Sequence, residues 1–156
     1  MADEGPALSP AEGPALRVQF LRPGARLPQR VTPGASGLDL FACIEAPEGV
    51  KLGRDPVRVP TGIAIEMPPG YDAQVRPRSG LSAQGVGVTF GTIDSDYRGE
   101  VLVTMYLFGS QESYTVHHGD RIAQLIIARL ADLPVVEAQA LSPTERGWGG
   151  HGSTGT

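Results

Sequence analysis

Cysteine is almost missing from these 156 residues: Cys43 stands alone, so no intramolecular disulfide can staple the chain. Histidine is nearly as scarce. His117, His118 and His151 are spaced in no way that suits zinc, so any metal must be held mostly by oxygen. Long apolar runs are missing too, and nothing approaches the roughly 18–20 uninterrupted apolar residues of a membrane span. Positive charge is in short supply, with 13 Lys and Arg against 17 Asp and Glu, a formal net charge of -4. That balance argues against nucleic acid or an anionic membrane as partner, and a polyanionic ligand would need a local basic pocket. The first residues carry acids where a secretory signal has its positive end, and no long apolar core follows. These features predict a soluble, cytoplasmic protein of a reducing compartment.

Glycine and proline, by contrast, are plentiful. The 21 Gly and 14 Pro exclude a helix bundle, while 40% apolar residues suit one globular domain. Residues 1–15 are rich in Ala, Pro, Gly and Glu and predict a disordered leader, dispensable for chemistry. Short apolar runs follow. Leu16 to Leu21 alternates as a half-buried strand does. Val57-Arg58-Val59 and Ile63 to Met67 read as strands about Pro60-Thr61-Gly62, and Tyr71 to Arg76 reads as another. Val101 to Phe108 and Tyr114 to Val116 suggest a hairpin across Gly109-Ser110-Gln111. Arg121 to Leu130 matches helix spacing as well as a strand buried on both faces, and its Ile pair and β neighbours favour strand. Many short strands imply an all-β sandwich or jelly roll with its chemistry on loops.

Five clusters bear groups able to do chemistry. In Ala35-Ser36-Gly37-Leu38-Asp39-Leu40, Asp39 between apolar neighbours is either a buried hydrogen-bonding partner or a carboxylate holding a magnesium shell. Pro77-Arg78-Ser79-Gly80-Leu81 is either an ordinary turn or a guanidinium, a hydroxyl and an amide offered in succession. In Gly91-Thr92-Ile93-Asp94-Ser95-Asp96-Tyr97-Arg98-Gly99, a hairpin-like segment, Asp94 either caps its own turn or acts as a general base on water. Gly119-Asp120-Arg121 is structurally sufficient as a turn entering a strand, steadied by its acid–arginine pair. The last ten residues hold five glycines and cannot form a stable element alone, yet Arg146, Ser153 and Thr154 are phosphate-binding groups and His151 could stack on a nucleobase.

Taken together and in order, these clusters resemble the five motifs of the trimeric dUTPases, the deoxyuridine triphosphate nucleotidohydrolases. The fourth extends through Ile122, Ala123 and Gln124, and the fifth runs from Arg146 to Gly155. Any one motif is weak; the five together are specific. The resemblance implies an all-β, distorted jelly-roll (β-clip) subunit over 16–140, assembling as a homotrimer with shared active sites. Residues 141–156 would be a flexible arm closing over a neighbouring subunit's site. It implies hydrolysis of dUTP to dUMP and pyrophosphate, limiting uracil in DNA and supplying dUMP.

In that reading Asp94 activates the water that attacks the α-phosphorus, and Gln124 helps hold the phosphates or the water. Mg2+ comes bound mainly by the triphosphate, with Asp39 reaching it through water. Arg78, Ser79 and Gly80 grip the phosphate chain. The backbone from Gly91 through Thr92 and Ile93 to Tyr97 reads the uracil edge, and Tyr97 packs under the sugar. Arg146, Gly152, Ser153 and Thr154 take the γ-phosphate end while His151 covers the base. A dCTP deaminase, or a bifunctional deaminase of the same superfamily, is the nearest alternative. Its catalytic glutamate would fall at Thr104, and it lacks the 146–155 pattern.

Overall fold

In the computed structural model the described residues are 14–150. Along the chain run β1 (Arg17–Phe20), β2 (Leu38–Phe41), β3 (Val50–Leu52), β4 (Val57–Glu66), β5 (Tyr71–Arg76), α1 (Ser79–Ala83), β6 (Val86–Val88), β7 (Gly91–Ile93), β8 (Glu100–Leu107), β9 (Tyr114–Val116) and β10 (Arg121–Arg129). One antiparallel sheet has the order β1-β4-β8-β6, a second β2-β10-β5-β7, and β3 with β9 forms a short ribbon. This is a distorted jelly roll. Strand β8 shows why the two sheets stack: Val101, Val103, Met105 and Leu107 point inward and are almost wholly buried. They meet Leu40, Ile122 and Leu125 of the second sheet in one apolar core. The period-2 alternation of the sequence is thus the period of burial.

Arg121 to Arg129 is a strand, paired on both sides, with β2 and with β5. Ile122 to Ala128 are all buried or half-buried, so both faces of the strand carry apolar residues, which is what made helix and strand hard to tell apart. Elsewhere the local reading is corrected. Val57 to Glu66 is one strand and not two, because the Pro60-Thr61-Gly62 punctuation is absorbed as a slip in the β4–β8 register between Pro60 and Ala64, with Gly62 at φ 70°. Tyr114 to Val116 forms no hairpin with β8. It pairs with β3, since both edges of β8 are already taken by β4 and β6. Nor is Gly91 to Gly99 a hairpin: β7 lies in one sheet and β8 in the other, so the segment arches between layers.

The final strand ends at Arg129, and residues 130–148 lie exposed with no strand pairing. Leu133, Val135, Val136 and Leu141 are bare to solvent along that stretch. No helix among the described residues is long and apolar enough to cross a membrane.

Candidate active site

Antiparallel register sets three candidate groups side by side. Gln124 of β10 lies opposite Asp39 of β2 on one edge and opposite Arg76 of β5 on the other. Directly opposed residues share a face, so these side chains form a row across the sheet. Just past Arg76, Pro77 ends the strand and Arg78, with extended backbone (φ -94°, ψ 133°), begins α1. Burial of Leu81 anchors this single turn of helix. Expected as a turn, Pro77 to Leu81 therefore presents first-turn amides, which no helix can satisfy internally, beside Arg78 and Ser79.

Arg78 donates from Nε to Oδ1 of Asp39 at 3.2 Å and from Nη1 to the Arg121 carbonyl at 3.2 Å. Arg121 in turn donates from Nη1 to Oδ2 of Asp39 at 3.3 Å. Asp39 is buried, at 7% exposure, so two guanidiniums neutralise and hydrogen-bond it in place of most of its bulk water. Gln124 donates from Nε2 to the Pro77 carbonyl at 2.9 Å. Its side chain lies directly over Gly37, where a Cβ would come within 2.3 Å of Oε1 and 3.0 Å of the Gln124 Cβ. Gly37 is thus glycine because Gln124 occupies the space.

Gly80 has no such reason within the protomer, since a Cβ there would meet nothing within 4 Å. Two cations against one carboxylate leave the Asp39, Arg78 and Arg121 cluster with one surplus positive charge. It attracts an anion and repels an unaccompanied metal ion.

The acid–arginine pair expected at Asp120 and Arg121 is not formed. Asp120 instead accepts the His117 N–H at 2.8 Å, while Arg121 reaches Asp39. Arg121 belongs to the site by way of strand pairing, which no local spacing announces.

A second constellation surrounds a cavity of ≈ 210 Å³ lined by Val75, Gly91, Thr92, Ile93, Asp94, Tyr97 and Glu100 to Leu102. Strand β7 pairs with β5 and is the edge of its sheet, so its outer N–H and C=O groups are open to a ligand. Ile93 is buried and anchors the strand; Asp94, next in sequence, is exposed at the cavity. The chain then turns, with the Tyr97 N–H on the Asp94 carbonyl at 3.1 Å and the Tyr97 hydroxyl donating to the Glu100 carbonyl at 3.1 Å. Gly99 makes room for that ring: a Cβ there would lie 2.3 Å from the hydroxyl.

Asp39, Arg78, Ser79, Gly80 and Gln124 are absent from this lining, so the candidate groups fall in two separate places on one chain. Arg146 joins neither. It closes a small turn of its own, Nε donating to the Gly149 carbonyl at 2.7 Å, with Gly147 at φ 51°. His151, Gly152, Ser153 and Thr154 lie outside the described residues. Among the described residues no group of three or more His, Cys, Asp or Glu could hold a metal ion.

Comparison with known proteins adds to this geometry. The family model described as dUTPase matches residues 24–155. The chain is 47% identical over 134 residues to the deoxyuridine 5'-triphosphate nucleotidohydrolase of Neorickettsia sennetsu, covering 83% of this chain and 88% of that protein. It is 46% identical over 148 residues to the enzyme of the same name from Anaplasma marginale, covering 90% and 99%. Among solved structures, the dUTPase of Staphylococcus bacteriophage 80alpha with dUPNHPP superposes with a TM-score of 0.79 at 26% identity, covering 91% of this chain and 99% of that one. A dUTPase from phage phi11 of S. aureus shares the fold, with a TM-score of 0.69 at 22% identity over 83% of this chain and 99% of that one.

Proposed function

Since the chain belongs to the dUTPase family, its activity is the hydrolysis of dUTP to dUMP and pyrophosphate, and we propose that Asp94 is the base. Asp94 takes a proton from water as that water attacks the α-phosphorus in line. The bond from that phosphorus to the oxygen bridging to the β-phosphate breaks, and pyrophosphate leaves. The open edge of β7 at Gly91, Thr92 and Ile93 reads uracil through backbone groups, and Tyr97 packs under the deoxyribose.

Arg78, Ser79, Gly80 and Gln124 hold the phosphates, stabilising charge that spreads over their oxygens in the transition state. The surplus positive charge of that cluster supports a Mg2+ that arrives already bound to the triphosphate. Each Asp39 oxygen accepts one guanidinium bond and keeps a lone pair with which to accept from a metal-bound water. The ion would supply charge neutralisation on the phosphate oxygens. We place the reaction in the cytoplasm, where the free thiol of Cys43 would stay reduced.

The observation that carries the reading is the division of labour on one chain: an anion-seeking cluster at one place, and a carboxylate-bearing, open-edged cavity at another. Shared sites in a homotrimer join the two halves. The outer face of β8 supports such an assembly, because Leu102, which also lines the Asp94 cavity, and Phe108 just past the strand are exposed apolar groups. The exposed run 130–148 supports an arm that reaches a neighbour. There Arg146, His151, Gly152, Ser153 and Thr154 close over the nucleotide, whose contacts offset the ordering entropy of a glycine-rich tail.

The test is pyrophosphate release from dUTP, dCTP, dTTP and UTP with Mg2+. Release from dUTP alone, reduced at least about 100-fold in Asp94→Asn with an unchanged melting midpoint, is the expected result. Undiminished turnover in that variant would overturn the assignment of the base.

A further inference from the structure

The turn from Asp94 to Gly99 carries both the base and the sugar-packing tyrosine, yet little fastens it. Pairing of β7 with β5 stops at Ile93, and pairing resumes only where Glu100 meets Ala64 of β4. Between these points Asp94, Asp96, Tyr97 and Arg98 are exposed, so apolar packing does not position them. Local bonds close the turn. Arg98 Nη1 donates to the Ser95 carbonyl at 2.7 Å and the Tyr97 carbonyl at 3.0 Å, clipping the backbone either side of Asp96. Its Nη2 donates to Oε1 of Glu66, the last residue of β4, at 3.2 Å. Among the described residues this is the one side-chain hydrogen bond from the turn to a residue distant in sequence, since the Tyr97 hydroxyl reaches only the adjoining Glu100 carbonyl at the start of β8. Glu66 divides its carboxylate cleanly, with Oε2 accepting Arg17 Nη1 at 2.8 Å and Oε1 left for Arg98.

From this geometry we infer that Glu66 is a positioning residue for dUTP hydrolysis: by orienting Arg98 it holds the turn, and with it Asp94 and Tyr97, in register with the cavity. The inference rests on the reading of Asp94 and Tyr97 given above. Stability is not its purpose, since a pair this exposed, with Arg98 at 53% and Glu66 at 40%, contributes little to folding. A small displacement of a base is costly to rate all the same, because attack demands alignment.

The experiment compares the wild type with Glu66→Ala, Arg98→Ala, the double variant and Arg17→Ala. Its readouts are kcat and KM for dUTP and UTP, melting midpoint, and amide hydrogen exchange at residues 95–99. Glu66→Ala should lower kcat for dUTP about two- to five-fold and narrow the preference for dUTP over UTP, with faster exchange in the turn and no change in midpoint. Arg98→Ala should lose about ten-fold, and the double variant no more, because Glu66 acts through Arg98. Arg17→Ala should match the wild type.

Exchange at 95–99 unaltered by Glu66→Ala, losses that multiply in the double variant, or an equal loss in Arg17→Ala would each overturn the inference. Exchange reads the clip whatever Asp94 does. A wild type silent toward dUTP would therefore sink the base assignment while the clip is still decided.

Discussion

Gln124 keeps its amide on the Pro77 carbonyl only because residue 37 has no side chain. Gly37→Ala would force the Gln124 side chain aside without touching the core, so kcat/KM for dUTP should fall about ten-fold or more while the fold persists. Steady-state kinetics beside a thermal melt checks this, and Gln124→Ala should reproduce the loss. Cys43 poses a different residue-scale question. Burial pushes its thiol pKa up from the ordinary 9.0, the nearby Glu100 and Glu45 add to the rise, and Arg22 opposes it. The unfolded thiol ionises first as pH rises, so the folded state binds the extra proton above the ordinary value. Stability from this group is therefore intact below pH 9 and is lost above it. Melts at increasing pH should show a steeper alkaline decline for the wild type than for Cys43→Ala.

Elements differ in how much of themselves the sequence discloses. The strands β5, β8 and β10 were legible because alternation or β-branched density reports burial directly. Pairing was not legible: β9 looked like the partner of β8 by proximity in sequence, and its true partner β3 lies more than sixty residues upstream. The same holds for Arg121, whose ion pair with Asp39 spans |i−j| = 82. Residues 130–148 are an element only in prospect, exposed and unpaired in the protomer. Deleting residues 142–156 should leave the melting midpoint within a few degrees of the wild type, since residues 142–148 lie exposed in the protomer. It should remove nearly all dUTP hydrolysis, as pyrophosphate release on the truncated chain would report.

At the scale of the whole molecule, the two half-sites make a statistical prediction. Asp94→Asn lacks only the base and Gln124→Ala only a phosphate-holding group, so the first alone should fall at least about 100-fold and the second about ten-fold or more. In trimers formed by refolding an equal mixture, a site that takes one half from each of two subunits is intact in about a quarter of cases. Recovery of roughly a quarter of wild-type activity is expected. No recovery, with mixed trimers verified by mass, would mean that both halves of a site come from one chain. Sedimentation of the wild type should give three times the 16.4 kDa chain mass.

The sequence alone determined the class of fold and the chemical groups, for reasons that are local. Punctuation by glycine and proline forbids long helices, alternation marks half-buried strands, and five clusters in a fixed order resemble one family. It could not determine which groups meet. That Asp39 is clasped by Arg78 and Arg121, that Gln124 needs Gly37, and that Glu66 reaches Arg98 follow from strand register and from an arch between two sheets. The physical reason is that contacts across tens of residues depend on which edges are already occupied, and edge occupancy belongs to the folded chain as a whole.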